Sequence, residues 1–399
     1  MQSEQQESST AKGNHPSSPV AFYLGPGEEF KVYEIIRDAY MAGKPLYPPE
    51  EIARLRQSIK EREENPGLPS TIQMKDFFGF EFEQDLESAS RPFKIRYDSI
   101  SYRLVWAYKL RKHHPAGLHF CCYGFDKPSS DEFPPLSTHR PSADVVEIRK
   151  NMETHQDIAR FLLDVKTRLD LKDYRTEVIA ALHEAFNYCD AQNTKPITKV
   201  IGFGLCNIEY AAIEYEQQKG DAFSEHVKQH FLASDIRDVL TGRSRKSVRF
   251  LLQDPCITDP TSGEKVLAYK IIKGDIWDEI DENSLVLSVN RNIPVKEIVA
   301  EFLFDGRNTH RLPRAMIWDG GSPMTMELME TYVKKGMTCV NTPRTNKLEE
   351  RYKEFKFPNP PPGVPNPFMP DVPKDSGLVA GTGLTIYVRK EDPITDQPS

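Results

Sequence analysis

The chain has 399 residues, enough for one large domain or two ordinary ones. A formal net charge of −7 opposes non-specific attraction to nucleic acid or anionic membrane, and no apolar run approaches the ~20 residues of a membrane span. The six cysteines (Cys121, Cys122, Cys189, Cys206, Cys256, Cys339) are scattered without a C-x-x-C spacing. Neither a zinc site nor a disulfide frame is therefore expected, and a reducing compartment is. The first residues, Met1 to Glu7, carry no basic segment followed by an apolar one, so no secretory signal is expected and the cytoplasm or nucleus is.

Residues 1–19 are rich in Gln, Ser and Glu and read as a disordered tail. Tyr33–Tyr40 reads as a short amphipathic helix. A proline-led, acid-rich start at Pro48 opens another, running to about Glu63 with Ile52, Leu55 and Ile59 on one side. Phe93–Tyr97 and Ser101–Val105 alternate in the manner of strands. After a Pro-, Ser- and Asp-rich loop from Asp126 to Pro141, helical spacing returns over Val145–Leu169 and Tyr174–Tyr188. Residues 20–141 are accordingly an expected N-terminal α+β extension.

The second half alternates strand and helix around Pro196–Leu205, a buried strand that ends abruptly at Gly202 and Gly204. Helix is expected over Asp221–Leu240, Glu264–Tyr269, Val295–Phe304 and Met324–Lys335. Strand is expected over Val248–Leu252, Leu285–Val289, Ala315–Trp318 and Met337–Val340. Parallel strands joined by helices imply an α/β domain over 142–345, with a doubly wound, mostly parallel sheet and helices on both faces. Lys356–Lys374 carries eight prolines, so 346–376 reads as a proline-rich linker. Within 377–399, Leu384–Val388 is expected as an edge strand.

Three stretches carry a resemblance: Val200-Ile201-Gly202-Phe203-Gly204; Gln229-His230-Phe231-Leu232-Ala233 with Ile236-Arg237-Asp238; and Gln253-Asp254-Pro255 through Thr258-Asp259 to Lys265-Val266-Leu267. A fourth runs from Leu287-Ser288-Val289 through Pro294-Val295-Lys296-Glu297-Ile298-Val299. Together they span about residues 150–320 and resemble the fungal branch of the sensitivity-to-red-light-reduced family. The resemblance implies a Rossmann-like domain and a regulatory role, as in light and clock signalling or haem metabolism, with no settled reaction. Where many members have Pro-His-Cys after the fourth strand, this chain has Trp318-Asp319-Gly320-Gly321, so metal or thiol chemistry at that position has no residues to use here.

In an open α/β sheet, ligands bind beyond the carboxyl ends of the strands. Gly202 and Gly204 let a ligand approach the backbone, and Asp254 is placed to accept hydrogen bonds from ribose hydroxyls. Asn290, with Arg291 and Asn292, is a candidate donor after its strand, and Trp318 and Asp319 end the next. The bland readings are a tight turn for the glycines, a turn cap for Asp254 and core packing for Trp318. The glycine run is not a full G-x-G-x-x-G, because Asn207 stands at its last position. His226 and His230 share a helix face but lack a third ligand, so no metal is expected. Arg243, Arg245, Lys246 and Arg249 form a basic cluster that suits phosphate or solvent equally. Cys206 lacks a recognisable His and acid context for a nucleophile. Three readings stay open: a regulatory or accessory protein holding a small ligand, an S-adenosylmethionine-type transferase (S-adenosylmethionine or a nucleotide as cofactor), and an interaction scaffold presenting Pro358–Pro373 to a protein partner.

Overall fold

A computed structural model describes residues 29–86, 95–110, 120–125, 172–192, 195–205, 225–244, 247–253, 269–272, 276–289, 294–304, 312–321, 323–335, 341–358 and 383–390. The architecture is mixed α/β, organised on a seven-stranded, mostly parallel sheet. Its centre is β5 (Lys199–Phe203), every residue of which is buried. On one side of β5 lie β6 (Arg249–Gln253) and then β7 (Tyr269–Ile271), both parallel to their neighbours. On the other lie β8 (Ser284–Ser288) and β9 (Ala315–Gly320), again parallel. Beyond β9 come β11 (Gly383–Arg389), antiparallel, and β10 (Tyr352–Lys356), antiparallel to β11.

Alternation along these strands feeds two separate cores. Ile201, Phe203, Leu251, Val286, Met316 and Trp318 point to one face, whereas Val200, Phe250, Leu252, Leu285, Leu287 and Ile317 point to the other. Burial on both faces is why β5 and β8 read as continuous apolar runs rather than as alternating ones. Two helices, α4 (Lys172–Ala191) and α5 (Glu225–Ser244), cover the second face through Val178, Leu182 and Phe186 and through Leu232, Ile236 and Leu240.

The first face carries α6 (Val295–Phe304), α7 (Met326–Lys334) and α8 (Pro343–Glu349). The same core takes in the N-terminal layer: α1 (Glu29–Met41), α2 (Pro49–Glu64), the hairpin of β1 (Thr71–Lys75) and β2 (Glu81–Asp85), and β3 (Ile95–Tyr97) paired with β4 (Tyr123–Phe125). Helix α3 (Ile100–Leu110) completes the layer.

Three expectations change. Ser101–Val105 is helix, because the Ser99 hydroxyl accepts the Tyr102 amide at the helix start and Ile100 and Leu104 bury one face at i, i+4. Leu384–Val388 is internal rather than an edge; every one of its residues is buried. The edge on this side of the sheet is β10, which carries exposed Lys353, Glu354 and Lys356, charges that discourage further strand pairing. Tyr269 begins strand β7 instead of ending a helix, and residues 264–268 lie outside the described residues. The expected elements at 145–169 and 337–340, and the tail at 1–19, lie outside them as well.

Candidate functional site

Register brings the strand ends level. Phe203 lies opposite both Gln253 and Ser288, and Ser288 lies opposite Trp318, so β5, β6 and β8 finish in one row that Trp318 joins before β9 runs on to Gly320. From that row the chain continues to Gly204, to Asp254, to Val289 and Asn290, and to Asp319. Asp254 and Asn290 lie outside the described residues, as do Cys206, Asn207, Arg245, Lys246, Arg291 and Asn292 and the proline tract beyond Pro358. The strand order reverses at β5, with β6 to one side and β8 to the other, which opens a crevice at the carboxyl edge of such sheets.

The two glycines serve different needs. Gly204 has φ +64°, the left-handed region, and its amide donates to the Gln253 carbonyl at 3.1 Å. It therefore turns the chain sharply at the row while tying β5 to β6. Gly202 sits within the strand. A Cβ there would lie 3.1 Å from Leu205, 3.2 Å from Phe250 and 3.3 Å from Leu252, so glycine is demanded by close packing of the core beneath the row.

Trp318 is 1% exposed; its ring lies 5.9 Å from that of Tyr387, and Lys296 Nζ sits 5.4 Å from its centroid. Asp319 is buried on the opposite face of β9. Lys296, also buried, donates to Asn341 Oδ1 at 2.7 Å and to Glu349 at 3.1 Å. Asn341 in turn closes over Gly321, where any Cβ would come within 2.5 Å of its Nδ2. Gln229 and His230, near the start of α5, are buried; the side chain of His226 lies outside the described residues. No cluster of three His, Cys, Asp or Glu side chains suited to a metal occurs among the described residues.

The basic cluster divides. Arg243 ends α5 bonded to Asn187 at 2.9 Å and to Asp190 at 2.5 Å on α4. Arg249 opens β6, at the sheet edge opposite the row.

Three features escape the sequence reading. Phe203 stacks on Trp277 with centroids 4.4 Å apart, and Trp277 meets Tyr97 edge-on at 5.8 Å, so the N-terminal layer reaches the end of β5. Lys296 reaches Asn341 and Glu349 from the first turn of α6. Glu297, next along that turn, is buried, and burial pushes its carboxyl up to about 8 although the Ile100 amide pulls the other way. Acids at 297 and 301 within the apolar run Val295–Phe304 were the available signal.

No protein-family profile matches the sequence, and no curated protein or solved structure matches it. No helix among the described residues is long and apolar enough to cross a membrane.

Proposed function

We propose that this chain binds an adenosyl ligand, S-adenosylmethionine by preference, in the crevice at the carboxyl edge of a Rossmann-like, doubly wound sheet. The observation that carries the reading is the shared row, in which β5, β6 and β8 end level on both sides of the order reversal at Phe203, Gln253 and Ser288; Gly204 and Asp254 are the next residues in the sequence after the first two. Gly204 supplies a turn without a Cβ beside the ligand, and Asp254 takes the ribose hydroxyls. The glycine run favours S-adenosylmethionine over a nicotinamide cofactor, because Asn207 stands where the dinucleotide motif needs its last glycine. Membership of the sensitivity-to-red-light-reduced family, with a regulatory role, is part of the same proposal.

Isothermal titration calorimetry with S-adenosylmethionine, its demethylated product, NAD and ATP tests it. Saturable binding of the first two is expected. Asp254→Ala should weaken it about 10- to 100-fold, the worth of hydrogen bonds to a charged group at ~1.5–3 kcal/mol. Absence of heat with all four ligands, or unaltered affinity in Asp254→Ala, overturns the reading.

A further inference from the structure

A carboxyl group is buried where the N-terminal layer meets α6, and its surroundings favour its neutral form. Tyr47 has a single hydroxyl proton, and the Asp98 carbonyl takes it at 2.8 Å. The phenol oxygen is left to accept, and it faces Glu297 Oε2 at 3.5 Å. That same Oε2 receives the Ile100 amide at 3.0 Å, while Oε1 is buried with no partner among the described residues.

The surrounding charges do not neutralise Glu297. Glu301, one turn along α6, is a second acid. Arg344 of α8 is engaged by Glu301 and by the carbonyls of Tyr40 and Lys44. Lys296 turns away to Asn341 and Glu349. From the N-terminal layer, Asp98 is paired with Arg96 at 3.2 Å and Arg103 at 2.9 Å, and Tyr40 and Cys122 are neutral. A carboxylate in this position would be an uncompensated buried charge.

We propose that Glu297 is held as the neutral acid, donating its proton to the Tyr47 oxygen, and that loss of this proton releases the N-terminal layer from α6. The contact is a pH latch, and it stands whether or not the crevice binds a ligand. The sign follows from burial raising the group from its ordinary 4.5 to about 8. The docked state holds a proton that the open state releases. Docking is therefore complete below about 4.5, weakens about tenfold per pH unit above it, and levels off past about 8.

Hydrogen exchange of the full chain, corrected for intrinsic rates, reads the latch at the Leu46 and Ile100 amides, which donate to Glu301 and Glu297. Between pH ~5.5 and ~7.5 the opening constant should rise about a hundredfold in the wild type. Glu297→Gln cannot ionise, keeps the volume and can still accept from the Ile100 amide through its oxygen, so it should lack the hundredfold that Glu297 supplies and keep only what Glu301, which burial also pushes up, contributes to both proteins. Equal pH dependence in the two proteins overturns the proposal. Carbon-13 spectra of glutamate-labelled wild type supply a readout free of substitutions: one side-chain carboxyl should titrate near 8, and the absence of any midpoint above about 6 refutes it.

Discussion

Arg344 gives the sharpest test of how the N-terminal layer is held, and Arg344→Met is the perturbation. The guanidinium bonds Glu301 and the Tyr40 carbonyl, lies 2.7 Å from the Lys44 carbonyl, and rests 4.0 Å from the Tyr40 ring centroid. Methionine fills similar volume but leaves Glu301 buried without its cation. The carboxyl then takes up a proton on folding. From an ordinary value near 4.3, that costs at most about 3.7 kcal/mol at pH 7 but only about 1 kcal/mol at pH 5. Two carbonyls left without the guanidinium add roughly 1–3 kcal/mol that does not vary with pH. Urea unfolding of the wild type, Arg344→Met and the double variant Glu301→Gln/Arg344→Met at both pH values measures the difference. The Glu297 latch enters all three alike over this range and cancels. The single variant should regain about 2–3 kcal/mol on going from pH 7 to 5, and the double variant should keep only the fixed loss. An equal loss at the two pH values would refute an unpaired carboxylate as the cause.

Other outcomes are simpler. Gly202→Ala drives a methyl against Leu205, Phe250 and Leu252, all buried in one core, and should cost about 1–3 kcal/mol in urea unfolding while leaving crevice binding unchanged. Gly204→Ala keeps the amide bond to Gln253 but places a side chain at φ +64°, for a loss of about 1–2 kcal/mol; a neutral result at both positions contradicts the two assigned roles. Burial pushes the Cys121 thiol up to about 12 and raises that of Cys122 as well, so neither should react with iodoacetamide at pH 8 until urea is added. Native labelling at either residue, read by mass spectrometry, counts against this burial.

Much of the sheet is written plainly in the chain. Apolar runs at Val200–Phe203, Leu285–Leu287 and Ala315–Trp318 can satisfy their side chains only between two covered faces, and helical spacing over Val295–Phe304 supplies a cover. Short strands were less legible. Tyr269–Ile271 has three residues and no alternation to speak of, and Tyr352–Lys356 is charged because it is an edge. Ser101–Val105 misleads because Tyr102 and Arg103 interrupt an apolar face whose helical period shows only when Ile100 is included. At the row, Gly204 was legible because positive φ selects glycine. The need for glycine at 202 was not, since it depends on where Phe250 and Leu252 come to rest, 48 and 50 residues further on.

The same distance in sequence explains why the N-terminal layer cannot be treated as a separate appendage. Phe203, one residue before the turn at Gly204, stacks on Trp277; Trp277 abuts Tyr97; Tyr97 meets Tyr47 edge-on at 5.5 Å; and the Tyr47 hydroxyl faces Glu297. Glu297 belongs to the first turn of α6, the helix that follows β8. The path thus starts at the end of β5, passes through the N-terminal layer, and returns to the strand paired with β5 on the other side of the order reversal. Undocking the layer would strip Trp277, on which Phe203 stacks, of its Tyr97 cover as well as opening the contact at Glu297. The end of β5, through Trp277, and the first turn of α6 are therefore both packed against residues that precede them by more than a hundred positions.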